Sequence, residues 1–304
     1  MNTSSTPAGA KGLAPVTVEP RCIWPVAATL GEGPVWSPRD QALWFVDIKK
    51  RKIHRFRPAD GATASFDAPD QPGFALPRAG GGLVVGLPGK LAHFDSATGI
   101  FEPLATLEQD RPGNRLNDGF VDAQGRLWFG SMDDAEEAPT GALYSWDGAL
   151  HRHVDGIVIT NGPCASPDGR TFYHTDTLAR TIHAYDLSAE GALSNARLLI
   201  TIEDGAGWPD GTVVDAEGCL WVGLFAGWAA RRYSSAGELL EVVRFPCANI
   251  TKLAFGGDDR LDLYATTAAK GLSDDERAAQ PLAGGLFHFK ATVPGLPPAE
   301  IAYG

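Results

Sequence analysis

Short runs of apolar and aromatic residues recur along most of the chain, each preceded by a turn that contains Asp or Gly. Within these runs apolar and polar positions alternate, and a period of two is typical of half-buried β-strands. Helical periodicity is confined to one short stretch, residues 273–280. The pattern therefore predicts an all-β protein made of many short strands joined by tight turns.

The recurring runs have a nearly constant spacing of 41 to 48 residues between anchor positions. The anchors are Trp44, Val85, Trp128, Tyr173, Trp221 and Tyr264. A repeat of this length is typical of one four-stranded blade of a β-propeller. Six repeats predict a six-bladed β-propeller with four-stranded blades. A two-domain β protein, which the length of 304 residues also allows, would not explain the spacing.

The repeats suggest where the domain begins. We expect a flexible N-terminal tail over residues 1–20 and a single propeller domain over residues 21–304. A strand within residues 22–30 is expected to complete the last blade, because pairing the two ends of the chain closes the ring and removes exposed sheet edges.

Charge excludes several classes of partner. The chain has 26 Lys and Arg against 37 Asp and Glu, a formal net charge of −11. Binding to nucleic acid or to an anionic membrane usually requires a basic face. The longest basic cluster, residues 49–52, lies between apolar strand residues and is interpreted as a solvated hairpin tip. No obligate protein partner is implied.

The four cysteines are widely scattered and lack the paired spacing of a zinc site. Residues 1–20 have no apolar segment like that of a signal peptide, and no stretch approaches the ~20 apolar residues of a membrane span. We therefore expect a cytoplasmic protein with reduced thiols.

One register position of the repeat, about twelve residues before each anchor, is polar in five of the six repeats. The residues at this position are Glu32, Gly73, Asn117, Asn161, Asp210 and Lys252. In a propeller these positions begin the innermost strands and point toward one end of the central channel. Glu32, Asn161 and Asp210 each lie beside a Gly, so the alternative interpretation is that they are simply turn residues.

Two carboxylates and a carboxamide that converge on one axis require a positive charge between them. A divalent metal ion at Glu32, Asn161 and Asp210 would provide it. Their hard oxygen ligands favour Ca²⁺, Mg²⁺ or Mn²⁺, and an open site also allows Zn²⁺ or Fe²⁺.

A second polar group precedes the third anchor. In an extended segment Arg115 and Asn117 share a face that Leu116 opposes, and an Arg next to a metal site suits an oxygen-rich substrate. The alternative is a surface Arg paired with Asp118 or Asp122. Asp118 itself is expected to be structural.

The chain resembles the SMP-30/gluconolactonase family of six-bladed propellers, the regucalcin-like sugar lactonases. The resemblance rests on LGEGPVWSP (residues 30–38), RLNDGFVDAQGRLWFGSM (115–132), ITNGPCASPDG (159–169), PDGTVVDAEGCLWVG (209–223) and NITKLAFGG (249–257). It implies a metal triad of Glu32, Asn161 and Asp210, and substrate contacts from Arg115 and Asn117. The family's lid Glu aligns with Ala135, and the acidic neighbour Glu136 is taken as the third substrate-binding residue.

The function implied is that of a metal-dependent carboxylic ester hydrolase of carbohydrate metabolism. It would open a sugar aldono-lactone, such as xylono-, arabinono- or gluconolactone, to the aldonic acid, with Asp210 as the catalytic general base. The alternatives are a phosphotriesterase-like metal hydrolase and a non-catalytic Ca²⁺-binding propeller. No serine hydrolase, zincin or P-loop motif is found.

Three further residue types are candidates for the site. His174 is interpreted as a packed strand histidine, and Cys164 as a non-catalytic thiol, because no His and Asp pattern accompanies it. Trp208 and Trp228 are expected near the channel entrance, where they would either stack on a sugar ring or pack between blades.

Overall fold

The structure is a computed structural model that describes residues 18–303. Its strands form six antiparallel four-stranded sheets, numbered here as blades 1 to 6. Blade 1 contains β2 (Gly31–Ser37), β3 (Ala42–Asp47), β4 (Lys52–Arg57) and β5 (Ala62–Asp67). Blade 2 contains β6 (Phe74–Pro77), β7 (Leu83–Leu87), β8 (Lys90–Asp95) and β9 (Ile100–Thr106). Blade 3 contains β10 (Asn114–Val121), β11 (Leu127–Asp133), β12 (Gly141–Trp146) and β13 (Leu150–Ile157).

The second half of the chain repeats this order. Blade 4 contains β14 (Thr160–Ala165), β15 (Thr171–Asp176), β16 (Thr181–Leu187) and β17 (Leu193–Thr201). Blade 5 contains β18 (Trp208–Val214), β19 (Leu220–Phe225), β20 (Ala229–Tyr233) and β21 (Leu239–Arg244). Blade 6 contains β22 (Asn249–Gly256), β23 (Asp262–Ala268), β24 (Leu286–Lys290) and β1 (Arg21–Trp24).

The six blades form a closed ring. The innermost strands β2, β6, β10, β14, β18 and β22 contact one another in cyclic order, with β22 returning to β2. The N-terminal strand β1 pairs with β24 and completes blade 6, as the sequence led us to expect. The six-bladed propeller with four-stranded blades is therefore confirmed. The predicted N-terminal tail lies, up to residue 17, outside the described residues.

The anchor residues lie on the second strand of each blade and are buried. In three blades the anchor Trp is held by an Asp of the preceding turn: Trp44 Nε1 donates to Asp40 Oδ2 at 2.8 Å, Trp128 Nε1 to Asp122 Oδ2 at 2.9 Å, and Trp221 Nε1 to Asp215 Oδ2 at 3.2 Å. The carboxylates of Asp122 and Asp215, which belong to D-x-x-G turns, also accept backbone N–H groups of their own turns. The repeated D-x-x-G turn is therefore a structural device that ties each turn to its blade core.

The helix predicted over residues 273–280 is present as α1 (Asp274–Ala279). Its N-terminus has a capping box, in which the Ser273 side chain accepts from the Glu276 backbone and Glu276 accepts from the Ser273 backbone. None of the described residues forms a helix long and apolar enough to span a membrane.

The innermost strands are irregular where the site residues occur. The pairing register shifts between Glu32 and Val35, and equivalent shifts occur in β10, β14, β18 and β22. A β-bulge of this kind changes the direction in which side chains point. β6 pairs with β7 without such a shift, and Gly73 precedes it. A Cβ at Gly73 would lie 2.3 Å from the Leu116 carbonyl oxygen, so the neighbouring blade leaves no room for a ligand side chain there.

Candidate active site

One end of the central channel opens into a cavity of about 320 Å³. All six site residues predicted from the sequence line it: Glu32, Arg115, Asn117, Glu136, Asn161 and Asp210. The remaining wall is largely apolar and includes Leu30, Met132, Ile159, Leu178, Trp208 and Phe225. The bulged strands of four blades thus bring together residues that are up to 178 positions apart in the sequence.

Glu32 and Asp210 face each other at the base of this cavity, and both are buried. The Gly33 backbone N–H donates to Glu32 Oε2 at 2.7 Å, and the two carboxyl groups are close enough for each to shift the pKa of the other. Burial, followed by the charge of Asp118, raises the pKa of Glu32 to about 7. Burial and the charge of Glu32 raise the pKa of Asp210 well above its ordinary value. Without a cation, burial and mutual repulsion therefore both favour the protonated form of this pair.

Asn161 completes the triad through a chain of hydrogen bonds that fixes its amide. Arg115 Nη1 donates to Asn117 Oδ1 at 2.6 Å, and Asn117 Nδ2 donates to Asn161 Oδ1 at 2.8 Å. Asn161 Nδ2 donates in turn to Thr177 Oγ1 at 3.0 Å. Since an Arg can only donate, the direction of the whole chain is determined. Asn161 Oδ1 therefore accepts one hydrogen bond within the protein and keeps one lone pair.

This donor set fits a divalent cation with a preference for oxygen ligands. Two carboxylates and one amide oxygen, held close together and buried, are typical ligands of Ca²⁺, Mg²⁺ or Mn²⁺. Within residues 18–303 no three His, Cys, Asp or Glu side chains form a metal-binding group. A metal at this position would therefore need the amide of Asn161 as its third protein ligand.

Arg115 is buried, and its carboxylate partner is neither of the two predicted as alternatives. Arg115 Nε donates to Asp134 Oδ1 at 2.7 Å rather than to Asp118 or Asp122. The intervening Leu116 is fully buried in the core on the opposite face, as the alternation predicts. Arg115 is therefore a rigid part of the cavity wall and not a surface residue.

Asp134 was missed as a site residue, and it connects three segments of the chain. Its carboxylate accepts from Lys49 Nζ at 2.6 Å and from Gln71 Nε2 at 3.1 Å, in addition to Arg115. Burial acts to raise the pKa of Asp134, but the hydrogen bonds from Lys49 and Gln71 outweigh it and lower the pKa to about 2. The hairpin tip predicted over residues 49–52 corresponds to the turn between β3 and β4 at residues 48–51, and Lys49 points into this network instead of being solvated.

A buried ion pair lies beneath the three candidate metal ligands. Lys252 Nζ donates to Asp118 Oδ1 at 2.5 Å, and Asp118 Oδ2 accepts the Gly162 backbone N–H at 3.0 Å. Gly162 has φ +57°, and a Cβ there would lie 2.6 Å from two threonine hydroxyls. Asp118 therefore holds the bulge that carries Asn161, which agrees with the structural role expected for it.

Glu136 lies at the mouth of the cavity, opposite Lys270. Glu136 Oε1 accepts a hydrogen bond from Lys270 Nζ, and both residues line the cavity. Lys270 belongs to the turn after β23 in blade 6, whereas Glu136 belongs to the loop after β11 in blade 3. This contact crosses the mouth, and the sequence repeat gave no indication of it.

The sequence profile described as "SMP-30/Gluconolactonase/LRE-like region" matches residues 30–269. The chain belongs to this family. It is 34% identical over 279 residues to a 6-deoxy-6-sulfogluconolactonase of Pseudomonas putida, covering 90% of this chain and 96% of that protein. It is 36% identical over 281 residues to an L-arabinolactonase of Azospirillum brasilense, covering 90% and 92%.

A solved structure of the same family has a closely similar fold. It is a calcium-binding protein, regucalcin, from Agrobacterium tumefaciens, with a TM-score of 0.90 and 30% sequence identity. The superposition covers 93% of this chain and 97% of that one. The family resemblance inferred from the motifs is therefore confirmed over nearly the whole chain.

The remaining candidate residues differ in whether they line the cavity. His174 is buried within blade 4 and does not line the cavity, as expected for a packed histidine. Burial raises the pKa of the Cys164 thiol, which opposes formation of a nucleophilic thiolate. Of the two tryptophans, Trp208 lines the cavity, whereas Trp228 is exposed and does not.

Proposed function

We propose that this chain is a metal-dependent lactonase that opens sugar aldono-lactones to aldonic acids. The observation that carries the proposal is the convergence of Glu32, Asn161 and Asp210 with Arg115 and Asn117 on one cavity. Its volume of about 320 Å³ is in the range of small-ligand sites and suits a single sugar ring. The names of the two lactonase relatives support the same substrate class.

Glu32, Asn161 and Asp210 would hold one divalent cation, and their oxygen ligands favour Ca²⁺, Mg²⁺ or Mn²⁺ over Zn²⁺ or Fe²⁺. When bound, such an ion supplies Lewis acidity toward an ester carbonyl. Because burial and mutual repulsion raise the pKa of both carboxyl groups, a cation held there would compete with a proton for the pair.

Arg115 and Asn117 bind and orient the lactone. Arg115 uses Nε and Nη1 in contacts to the protein, which leaves Nη2 to donate to a substrate hydroxyl. Asn117 donates both Nδ2 hydrogens to Thr160 and Asn161, which leaves one lone pair of Oδ1 to accept from a hydroxyl. Glu136 can accept another hydroxyl at the mouth. Holding the ring in one orientation reduces the entropy cost of attack.

Asp210 acts as the general base. Its carboxylate accepts a proton from the attacking water while the water oxygen forms a bond to the lactone carbonyl carbon. The ring C–O bond then breaks, and the leaving alkoxide oxygen takes the proton from Asp210. The product is a hydroxy acid, which ionises to an aldonate and one released proton.

A pH-indicator assay tests the proposal with xylono-, arabinono-, glucono- and galactono-lactones. We expect hydrolysis of at least one lactone well above the spontaneous rate, loss of activity with a chelator and recovery with a divalent cation. Paraoxon-type phosphotriesters serve as the comparison substrates. Turnover of phosphotriesters without turnover of any lactone would contradict the proposal.

The second candidate function is a calcium-binding protein without enzymatic activity, which the description of the Agrobacterium structure favours. Calorimetry with Ca²⁺ alone, combined with the lactone panel, separates the two. Binding of Ca²⁺ with no hydrolysis in the presence of any divalent cation would support the binding function. We also propose a cytoplasmic location, on the basis of four free cysteine thiols.

A further inference from the structure

The loop between β11 and β12, residues 134–140, places Glu136 over the cavity in a fixed position. The Asp133 carboxylate accepts the backbone N–H groups of Glu137 at 3.1 Å and Ala138 at 2.9 Å, and the Asp133 carbonyl accepts that of Glu136. Glu136 itself has φ +63°, a conformation that a non-glycine residue adopts only where its surroundings hold it.

Lys270 reaches Glu136 from the opposite side of the mouth, and its backbone is also fixed. The Lys270 N–H donates to the Thr29 carbonyl at 2.8 Å, and its carbonyl accepts from Asn249 Nδ2 at 3.0 Å. The side chains of Lys270 and Glu136 are 29% and 34% exposed. The ion pair is thus partly shielded from solvent and forms part of the cavity wall.

The positively charged side chains that line this cavity are already paired with carboxylates, and this affects which substrate charges the cavity accepts. Arg115 and Lys270 are the two cationic residues among those described that line it. Arg115 is already paired with Asp134, and Lys270 with Glu136. A neutral polyol can donate to Glu136 and accept from Lys270 at once. A carboxylate or sulfonate group can only accept, and the negative charge of Glu136 repels it.

We propose that Glu136 is a specificity-determining residue that restricts the cavity to uncharged aldono-lactones by neutralising Lys270. This inference rests on the proposed lactonase function. Its consequence is that removal of the Glu136 charge frees Lys270 as a counter-ion, so that lactones with an anionic substituent become better substrates relative to neutral ones.

The test compares two lactones of the same ring size, D-glucono-1,4-lactone and D-glucaro-1,4-lactone, which differ in a terminal CH₂OH or carboxylate. In Glu136→Gln, the ratio of kcat/KM for the anionic over the neutral lactone is expected to rise about fivefold to tenfold. The matched control is Glu137→Gln, which makes the same change of charge at the adjacent exposed residue and should leave the ratio unchanged.

A second variant, Lys270→Met, should move the ratio in the opposite direction, because it leaves the charge of Glu136 unbalanced. An unchanged ratio in both Glu136→Gln and Lys270→Met, with hydrolysis of the neutral lactone by the wild type, overturns this inference alone. An equal rise in Glu137→Gln also overturns it. If the wild type hydrolyses neither this pair nor any lactone of the panel, the proposed function fails and the inference fails with it.

Discussion

The two ends of the central channel are built from the same six inner strands and differ in almost every other respect. One end holds the cavity of about 320 Å³ lined by the candidate active-site residues. The other holds a cavity of about 130 Å³ whose lining is apolar except for Thr212 and Lys252. Glu32 and Val35 belong to one strand, β2, yet they face opposite ends. The β-bulge between them lies where β2 passes from the candidate active site to the apolar end of the channel.

The second end is also covered by the chain itself. Residues 296–299 line the smaller cavity, and the segment that contains them is hydrogen-bonded on both sides. The Ala216 N–H donates to the Pro294 carbonyl, and the Ile301 N–H donates to the Pro77 carbonyl. The same inner strands therefore present ligand oxygens at one end of the channel and apolar side chains at the other, where residues 296–299 pack over them.

The largest effect is expected from Asp210→Asn at the open end. It removes the proposed base and one charge of the ligand set, so kcat should fall by about 10⁴-fold, equivalent to about 5 kcal/mol, with little loss of stability. The matched change Asp215→Asn, five residues later and close to the apolar end, should lower the thermal midpoint and leave the kcat of the folded protein nearly unchanged. Wild-type kcat in a folded Asp210→Asn variant would contradict the proposed role.

The next largest effect concerns the ion pair between the two ends. Lys252→Met leaves the buried Asp118 carboxylate without its cation, and the free energy of unfolding should fall by about 4 kcal/mol. Adding Asp118→Asn removes the uncompensated charge and should restore most of this loss. Urea denaturation measures both. Equal stability of the single and double variants would show that the buried charge is not the cause.

The third prediction concerns the interior of blade 4, where burial, with a smaller contribution from the cross-strand neighbour His183, lowers the pKa of His174 from 6.5 to about 3. Below pH 6.5 the unfolded state binds a proton that the folded state does not, so stability falls as the pH falls. From about pH 7 to about pH 5 this group should account for about 2 kcal/mol. Urea denaturation at both pH values should show a weaker pH dependence in His174→Gln, and identical dependence would refute the assignment.

The smallest effect is expected at the rim of the open end. Asp134→Asn weakens the support of Arg115 and should raise KM about tenfold with a smaller change in kcat. Lys49→Met should act in the same direction by about threefold. Lys50→Met, one residue along the same hairpin, is the control, because within residues 18–303 the Lys50 side chain donates only to the Ala27 carbonyl, outside this network. Equal effects of the Lys49 and Lys50 variants on KM would exclude a specific role for the network.

The features that could be predicted from the sequence are those that repeat. The anchor residues recur at a spacing that reflects one blade, so the number of blades and the direction of their inner strands follow from counting. The same register identified Glu32, Asn161 and Asp210, because equivalent positions begin the innermost strands that surround the channel. Lys252 shares that register but lines the cavity at the other end. Arg115 and Asn117 followed from the two-residue period of a strand.

The features that were missed are contacts between loops of different blades. Asp134 lies beside the expected lid position, but only the structure shows that it joins Arg115 to Lys49 and Gln71. Lys270 does not lie at a repeated position of the blades, so the repeat could not predict its contact with Glu136. Such contacts depend on the length and direction of individual loops, which no period in the sequence records.

The amino-acid sequence by itself therefore determined the ring of blades and the three candidate metal ligands, since both arise from a regular repeat whose geometry is the same in every blade. Only the tertiary structure decided which positively charged side chains remain available to a substrate. That property depends on which side chains meet across the mouth, and residues as far apart as Glu136 and Lys270 become neighbours only when the ring closes.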